Sequence, residues 1–205
     1  FTTSANDKAI TLNTQSNAVA GTVTFTTNNT AGHVAWKEAA AVSLAASTVD
    51  GNLTVVSDTG GISNAGTLTV SGTGTFTAST NNQAIDLNNS LNNITGAVAF
   101  TTGGTTGNVY FDNGSNAIDL ATSNIGGLLD LDTGGHLTVT GDVVTARAMT
   151  INADDITLNG SLNSGAYNIT ILPDDNGTIG LGNAVGGMTL TDAELDKITS
   201  SGTVR

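Results

Sequence analysis

The chain has 205 residues, of which 11% are charged and 4% aromatic, with one Pro, no Cys and a formal net charge of −12. Charged residues usually make up about 25%, so this is not the composition of an ordinary enzyme domain. Five cations in an acidic chain argue against nucleic acid and against an anionic membrane surface, both of which need clustered Lys and Arg.

The absence of Cys removes disulfides, thiolate metal sites and thiol nucleophiles. No apolar run of about 18 residues exists to insert into a membrane as a helix.

From the first residues onward the local period is two. Ile10 and Leu12 alternate with Thr and Asn; Val23 and Phe25 alternate with Thr22, Thr24 and Thr26. Val34 and Trp36, Leu53 and Val55, Leu68 and Val70, Ile85 and Leu87, and Val98 and Phe100 keep the pattern. Val109 and Phe111, Ile118 and Leu120, Leu137 and Val139, Ile156 and Leu158, and Ile169 and Ile171 continue it. These are short strands with one buried face. Asn-Gly, Asp-Gly, Gly-Gly and Asn-Asn pairs between them permit the positive φ of sharp corners.

Two segments differ. Glu38 to Ala46 reads as helical in isolation, but its repeat partner Ser115 to Thr122 does not, so Val42 and Leu44 are assigned to a strand. Thr191-Asp192-Ala193-Glu194 has the form of a capping box, flanked by a staple of Leu190 and Leu195. It predicts a short helix near residues 192–198. Both ends of the chain, at Phe1 and at Val204-Arg205, fall in predicted strands, as expected of an excerpt from a longer polypeptide.

The strands repeat. Phe1, Ile10, Leu12, Gly21, Val23 and Phe25 return as Phe76, Ile85, Leu87, Gly96, Val98 and Phe100, each 75 residues later, and about half of this 27-residue stretch is identical. Val42, Leu44, Val49 and Leu53 return at a spacing of 76; Leu68 and Val70 return at 69 as Leu137 and Val139. The second copy has thus lost seven residues around the Ser57–Gly66 loop. The units read as 1–75, 76–150 with that deletion, and 151–205 as a divergent or partial copy, all in a single domain.

Short strands suit a sandwich, a barrel or a solenoid. A repeat that varies its loops while keeping its apolar skeleton suits a solenoid, where each coil packs only on its neighbours. The expected fold is all-β: a right-handed parallel β-helix with three or four coils per unit.

The run Val49-Asp50-Gly51-Asn52-Leu53-Thr54-Val55, Gly60-Gly61-Ile62, Gly66-Thr67-Leu68-Thr69-Val70 and Gly74-Thr75-Phe76-Thr77 resembles the repeat of giant filamentous-haemagglutinin-like bacterial surface proteins. So do Ile156-Thr157-Leu158-Asn159-Gly160, Gly177-Thr178-Ile179-Gly180-Leu181-Gly182 and Leu190 through Thr199. The resemblance implies a secreted or surface-exposed shaft with roles in adhesion, cell–cell contact or biofilm. It brings no catalytic residue and no cofactor.

Candidate sites are few. Trp36, beside His33, could stack on a sugar, but alternation places it with Val34 in the core. His136 aligns with Thr67 and reads as a solvent-facing strand position; two isolated histidines make no zinc spacing. Asp112 and its Asn113-Gly114-Ser115-Asn116 neighbours, Asp130 with Asp132, Asp154 with Asp155, and Asp174 with Asp175 are calcium candidates that turn formation explains equally well. A β-helix can also be a polysaccharide lyase or hydrolase, which needs clustered carboxylates and a positioned base. Arg147 and Arg205, the two arginines, lie near no acidic cluster in sequence. Outward Thr triplets such as Thr75-Phe76-Thr77 raise ice binding as a further alternative, although Thr is favoured on any exposed strand. The partners expected are a surface glycan, a neighbouring cell, or another copy stacked end to end into a filament.

Overall fold

The computed structural model describes residues 1–174 and 177–205. Its strands are short because turn residues interrupt the apolar alternation every few positions, and most pair in parallel with the segments one coil before and one coil after, while Ile179–Leu181 and Met188–Leu190 pair only with each other. The result is a β-solenoid of about eight turns with three sides to a turn.

Side A starts at the bridges of Thr2 and Thr26 and continues through Ser47–Val49, Leu68–Val70 and Asn93–Ile94. Side B runs through Ile10–Asn17, Val34–Glu38, Leu53–Ser57, Gly74–Asn81 and Ala97–Gly103. Side C runs through Thr22–Val23, Val42–Leu44, Ile62–Asn64, Ile85–Asn88, Val109–Asp112, Leu129–Asp132, Met149–Ala153 and Ile169–Pro173. Val42 and Leu44 are therefore strand residues, as their repeat partners predict.

The core is the stack of inward side chains, almost all aliphatic or Phe, with polar residues confined to the corners. An inward slot flanked by an identical slot 4.8 Å above and below excludes water without a large core. Phe25, Phe76, Phe100, Leu68 and Leu137 are fully buried, as alternation requires. Phe1 is not: it lies on the first coil, is 53% exposed, and is covered from one side by Phe25 and Trp36. Phe1 nonetheless points inward, as alternation requires, since it stacks on the buried Phe25 and meets Trp36 at 5.2 Å.

The repeat has an arrangement that its spacing alone does not suggest. From Phe1 the chain makes three turns and one further side before Phe76, so Phe1 sits on side A and Phe76 on side B. Phe25 lies on side A and its partner Phe100 on side B; Val34 lies on side B and Val109 on side C. The two copies are equivalent in sequence but turned by one side.

The polygon accommodates this at Ala97–Gly103. Ala97 and Val98 carry Asp119 and Leu120 of the next side A strand, while Thr101 carries Asn124 of side B. The corner thus slides along the strand. Beyond it, side A continues as Ile118–Leu120, His136–Val139 and Asp155–Leu158. Side B shortens from the five residues of Leu53–Ser57 to the three of Ser123–Ile125, and side C lengthens to the five of Met149–Ala153.

The seven missing residues are not only loop. The first copy has a strand there, Ile62–Asn64, paired on side C. Its loss removes one side and returns the copies to phase, so Leu68 and Leu137 both lie on side A.

The last coil carries the helix. Asp192–Leu195 has both capping-box bonds, with Thr191 as N-cap and Glu194 reciprocating. It is shorter than the predicted span because Ile198–Thr199 returns to side B and pairs with Leu162–Asn163. Glu194 also accepts the Leu158 N–H, and Lys197 Nζ donates to the Leu158 carbonyl, 2.5 Å away, so the helix fastens onto side A. Burial pushes the Glu194 carboxyl up, but bonds from Thr191 and the Leu158 N–H, with the charge of Lys197, outweigh it and hold it below the usual range. Leu190 and Leu195, the predicted staple, line one cavity at this end.

Candidate functional site

The corners explain several of the polar candidates. Thr27 Oγ1 donates to the Gly32 carbonyl and accepts the Asp50 N–H; Thr102 Oγ1 donates to the Gly107 carbonyl and accepts the Gly126 N–H. Ser47 and Ser123 Oγ accept the Phe25 and Phe100 N–H groups, both at 3.0 Å. His33 Nδ1 accepts the Asn52 N–H at 2.9 Å, and in the second copy Asn108 Oδ1 accepts the Leu128 N–H at 3.1 Å. His33 is thus a corner acceptor whose task an amide performs equally well. Asn29 and Gly104, in matching places of these loops, both have positive φ, a conformation tolerated by Asn and Gly.

Trp36 is in the core, 1% exposed, and its Nε1 has no hydrogen-bond partner. His136 is half-buried on side A, with Nε2 2.9 Å from Thr157 Oγ1 and Nδ1 3.8 Å from Asp155. Asp155 also accepts the Thr189 N–H, so it tethers the strand Met188–Leu190.

Side C gathers the other acidic candidates. Asn88, Asp112, Asp132 and Asn152 stand in one outward column. Asn152 Nδ2 lies 3.3 Å from both Asp132 and Asp174. Asp112 accepts the Gly114 N–H at 2.7 Å in an Asx-type turn. Asp130 occupies the adjacent outward column, between Tyr110 and Thr150. Partial burial, then the neighbouring charges of Asp112, Asp174 and Asp130, push the Asp132 carboxyl above the usual aspartate range.

Asp112, Asp132 and Asp174 line an open cleft with Ser90, Gly114, Ser115 and Gly134. Among the described residues, no three His, Asp or Glu side chains converge as a metal shell. Asp175 lies outside the described residues.

Sequence reasoning passed over a second groove, where sides B and C meet on the upper coils. Arg147 and Tyr167 line it with Thr105, Thr106, Asn108, Leu128 and Ala148. The Arg147 guanidinium carbon lies 5.3 Å from the centre of the Tyr167 ring, a cation–π distance, and its Nε donates to the Thr105 carbonyl at 3.3 Å. Twenty residues separate Arg147 from Tyr167, so only the coil period brings them together. One signal was available: Leu128 stands where the first copy has Asn52, an apolar residue in a polar corner column. Arg205 instead donates to Thr170 Oγ1. Among the described residues, no helix is long and apolar enough to cross a membrane.

The family model described as repeats of unknown function (DUF5649) matches residues 31–101 and again residues 106–171. No curated protein and no solved structure matches the chain.

Proposed function

Because the chain belongs to this repeat family, we propose that it is a non-catalytic structural or adhesive segment of a large secreted or cell-surface protein, in the manner of filamentous-haemagglutinin-like adhesins. The observation that carries this reading is the use made of the buried polar side chains. Thr27, Ser47, Ser57, Asn92, Thr102, Asn113 and Ser123 are buried, and each bonds backbone that closes a corner. A scaffold that spends its buried polar groups on its own corners is built for length and stiffness.

The rival reading is a lyase or hydrolase at the acidic cleft. Such a site needs carboxylates together with a positioned base or cation. No Lys, Arg or His is among the described residues lining that cleft.

The ligands that suit this role are surface glycans, bound weakly and without turnover. The test is a glycan array probed with the chain, paired with an assay for new reducing or unsaturated sugar ends. Retention without sugar release supports the proposal. Release that Asp132→Asn abolishes overturns it in favour of an enzyme.

A further inference from the structure

We propose that the groove between Arg147 and Tyr167 is a binding site for a carboxylate-bearing sugar residue of the uronic-acid type. The inference rests on the adhesive reading and adds a place and a ligand chemistry to it.

Three observations carry it. The first is the arginine. A guanidinium has five N–H donors, and Arg147 uses one, Nε, on the Thr105 carbonyl. Among the described residues it forms no ion pair with any carboxylate, although Asp and Glu number 17 in the chain. The cation–π contact with Tyr167 holds the fork in place, and a fixed fork matches a carboxylate with two parallel bonds.

The second is the floor. Leu128 and Ala148 stand in successive coils directly before the paired residues Leu129 and Met149. By the repeat spacing Asn108 and Leu128 match His33 and Asn52 of the first copy, each of which accepts a backbone N–H from the coil above, and Asn108 still does so. Leu128 cannot do this. The floor it makes with Ala148 is apolar, the partly exposed Tyr167 lies beside it, and such a surface suits the C–H face of a pyranose ring.

The third is the rim. Thr105 and Thr106 also line the groove and supply hydroxyl groups for sugar hydroxyls, while the Asn108 amide is held by the Leu128 N–H and the Tyr110 hydroxyl. A cation at one edge, an apolar floor and a polar rim, in a groove of about 370 Å³, together fit an acidic pyranose. The net charge of −12 repels an anion at long range, so recognition must come from these short contacts. Moderate salt should therefore not weaken binding, whereas diffuse attraction to a cationic patch falls steeply with salt.

The test is calorimetric titration of the whole chain with an oligogalacturonate and with its methyl ester, which has the same shape and no charge. The acid is expected to bind, and the ester to bind about tenfold more weakly or worse. Arg147→Gln is expected to erase that preference, and Tyr167→Ala to weaken both ligands, while Arg205→Gln changes neither. Circular dichroism confirms that each variant is folded. Equal binding of acid and ester, an unaffected Arg147→Gln variant, or no binding at all would overturn the site. If Arg147→Gln still retains the glycans that the array shows for the parent chain, the adhesive reading stands and this site falls. If the array retains none, both fall.

Discussion

The two copies of the repeat each hold an aromatic trio, and the trios are built alike. Phe1 and Phe25 stack with centroids 6.0 Å apart at 24°, and Phe25 meets Trp36 at 5.5 Å and 59°. Phe76 and Phe100 stack at 5.9 Å and 20°, and Phe100 meets Phe111 at 5.3 Å and 58°. These two contacts match although one trio spans sides A and B and the other spans sides B and C; the first trio adds a contact of Phe1 with Trp36 at 5.2 Å that has no counterpart between Phe76 and Phe111 among the described residues. A repeat in this fold therefore preserves the corner between two sides, with its hydrogen bonds and rings, and is indifferent to which corner of the turn that is.

The trios differ in their surroundings, and this gives the largest expected effects. Phe76 is fully buried between coils, whereas Phe1 is half-exposed. Phe76→Ala should cost about 3–5 kcal/mol, as for Phe deletions in packed cores. Phe1→Ala should cost under about 1.5 kcal/mol, since much of its surface is already wet. Urea melts of the two variants would show the gap, and equal losses would break the account of burial by two neighbouring coils.

The corner threonines should differ in degree between the copies. Thr27→Val leaves the Gly32 carbonyl and the Asp50 N–H without their partner, at a cost of about 1–3 kcal/mol. Thr102→Val strands the Gly107 carbonyl, but the Gly126 N–H keeps a bond to the Thr102 carbonyl, so its cost should be smaller. Urea melts in which Thr102→Val loses more than Thr27→Val would break this account.

The third positions of the trios are not interchangeable. Trp36 has an unpartnered Nε1 in the core, and its equivalent is Phe111. Trp36→Phe removes the orphan and some volume, so it should stay within about 1.5 kcal/mol. Phe111→Trp should cost about 1–3 kcal/mol by overpacking. Thermal melts of this pair test the sign of the asymmetry.

The smallest effect is electrostatic and belongs to the second copy. The Asp132 carboxyl has a raised pKa in the folded state, so the native protein holds its proton more tightly than the unfolded chain does. The stability it contributes is present when it is protonated and is lost as pH rises through the folded pKa. Asp132→Asn should therefore stabilise the protein at neutral pH. The gain should fade as the pH is lowered below the ordinary aspartate range, and melts across that range would check it. A gain that persists in acid would place its origin elsewhere.

Much of the fold could be read from the residues. Alternation marked the inward positions, because parallel coils bury one face of every strand, and the preserved phase of Phe25 and Phe100 predicted that both point inward. The rotation between copies could not be read, since spacing in sequence carries no record of how many sides make a turn. For the same reason Ile62–Asn64 looked like part of a dispensable loop. The acidic candidates were visible as residues, but the column Asp112–Asp132 and the approach of Asp174 exist only through the coil period. Arg147 looked isolated because its partner Tyr167 stands one coil away.

The seven-residue deletion has a consequence for anything carried on the outside of such a shaft. A full-length copy is a screw element: it climbs about 16 Å, at roughly 4.8 Å per coil, and ends about 120° further round. A copy shortened by one strand climbs less and finishes at the original azimuth. Tandem copies of the two lengths can therefore aim their surface loops around the axis independently of overall reach. Removing a strand as short as Ile62–Asn64 then changes the direction in which every later groove faces, with no change to the residues that line it.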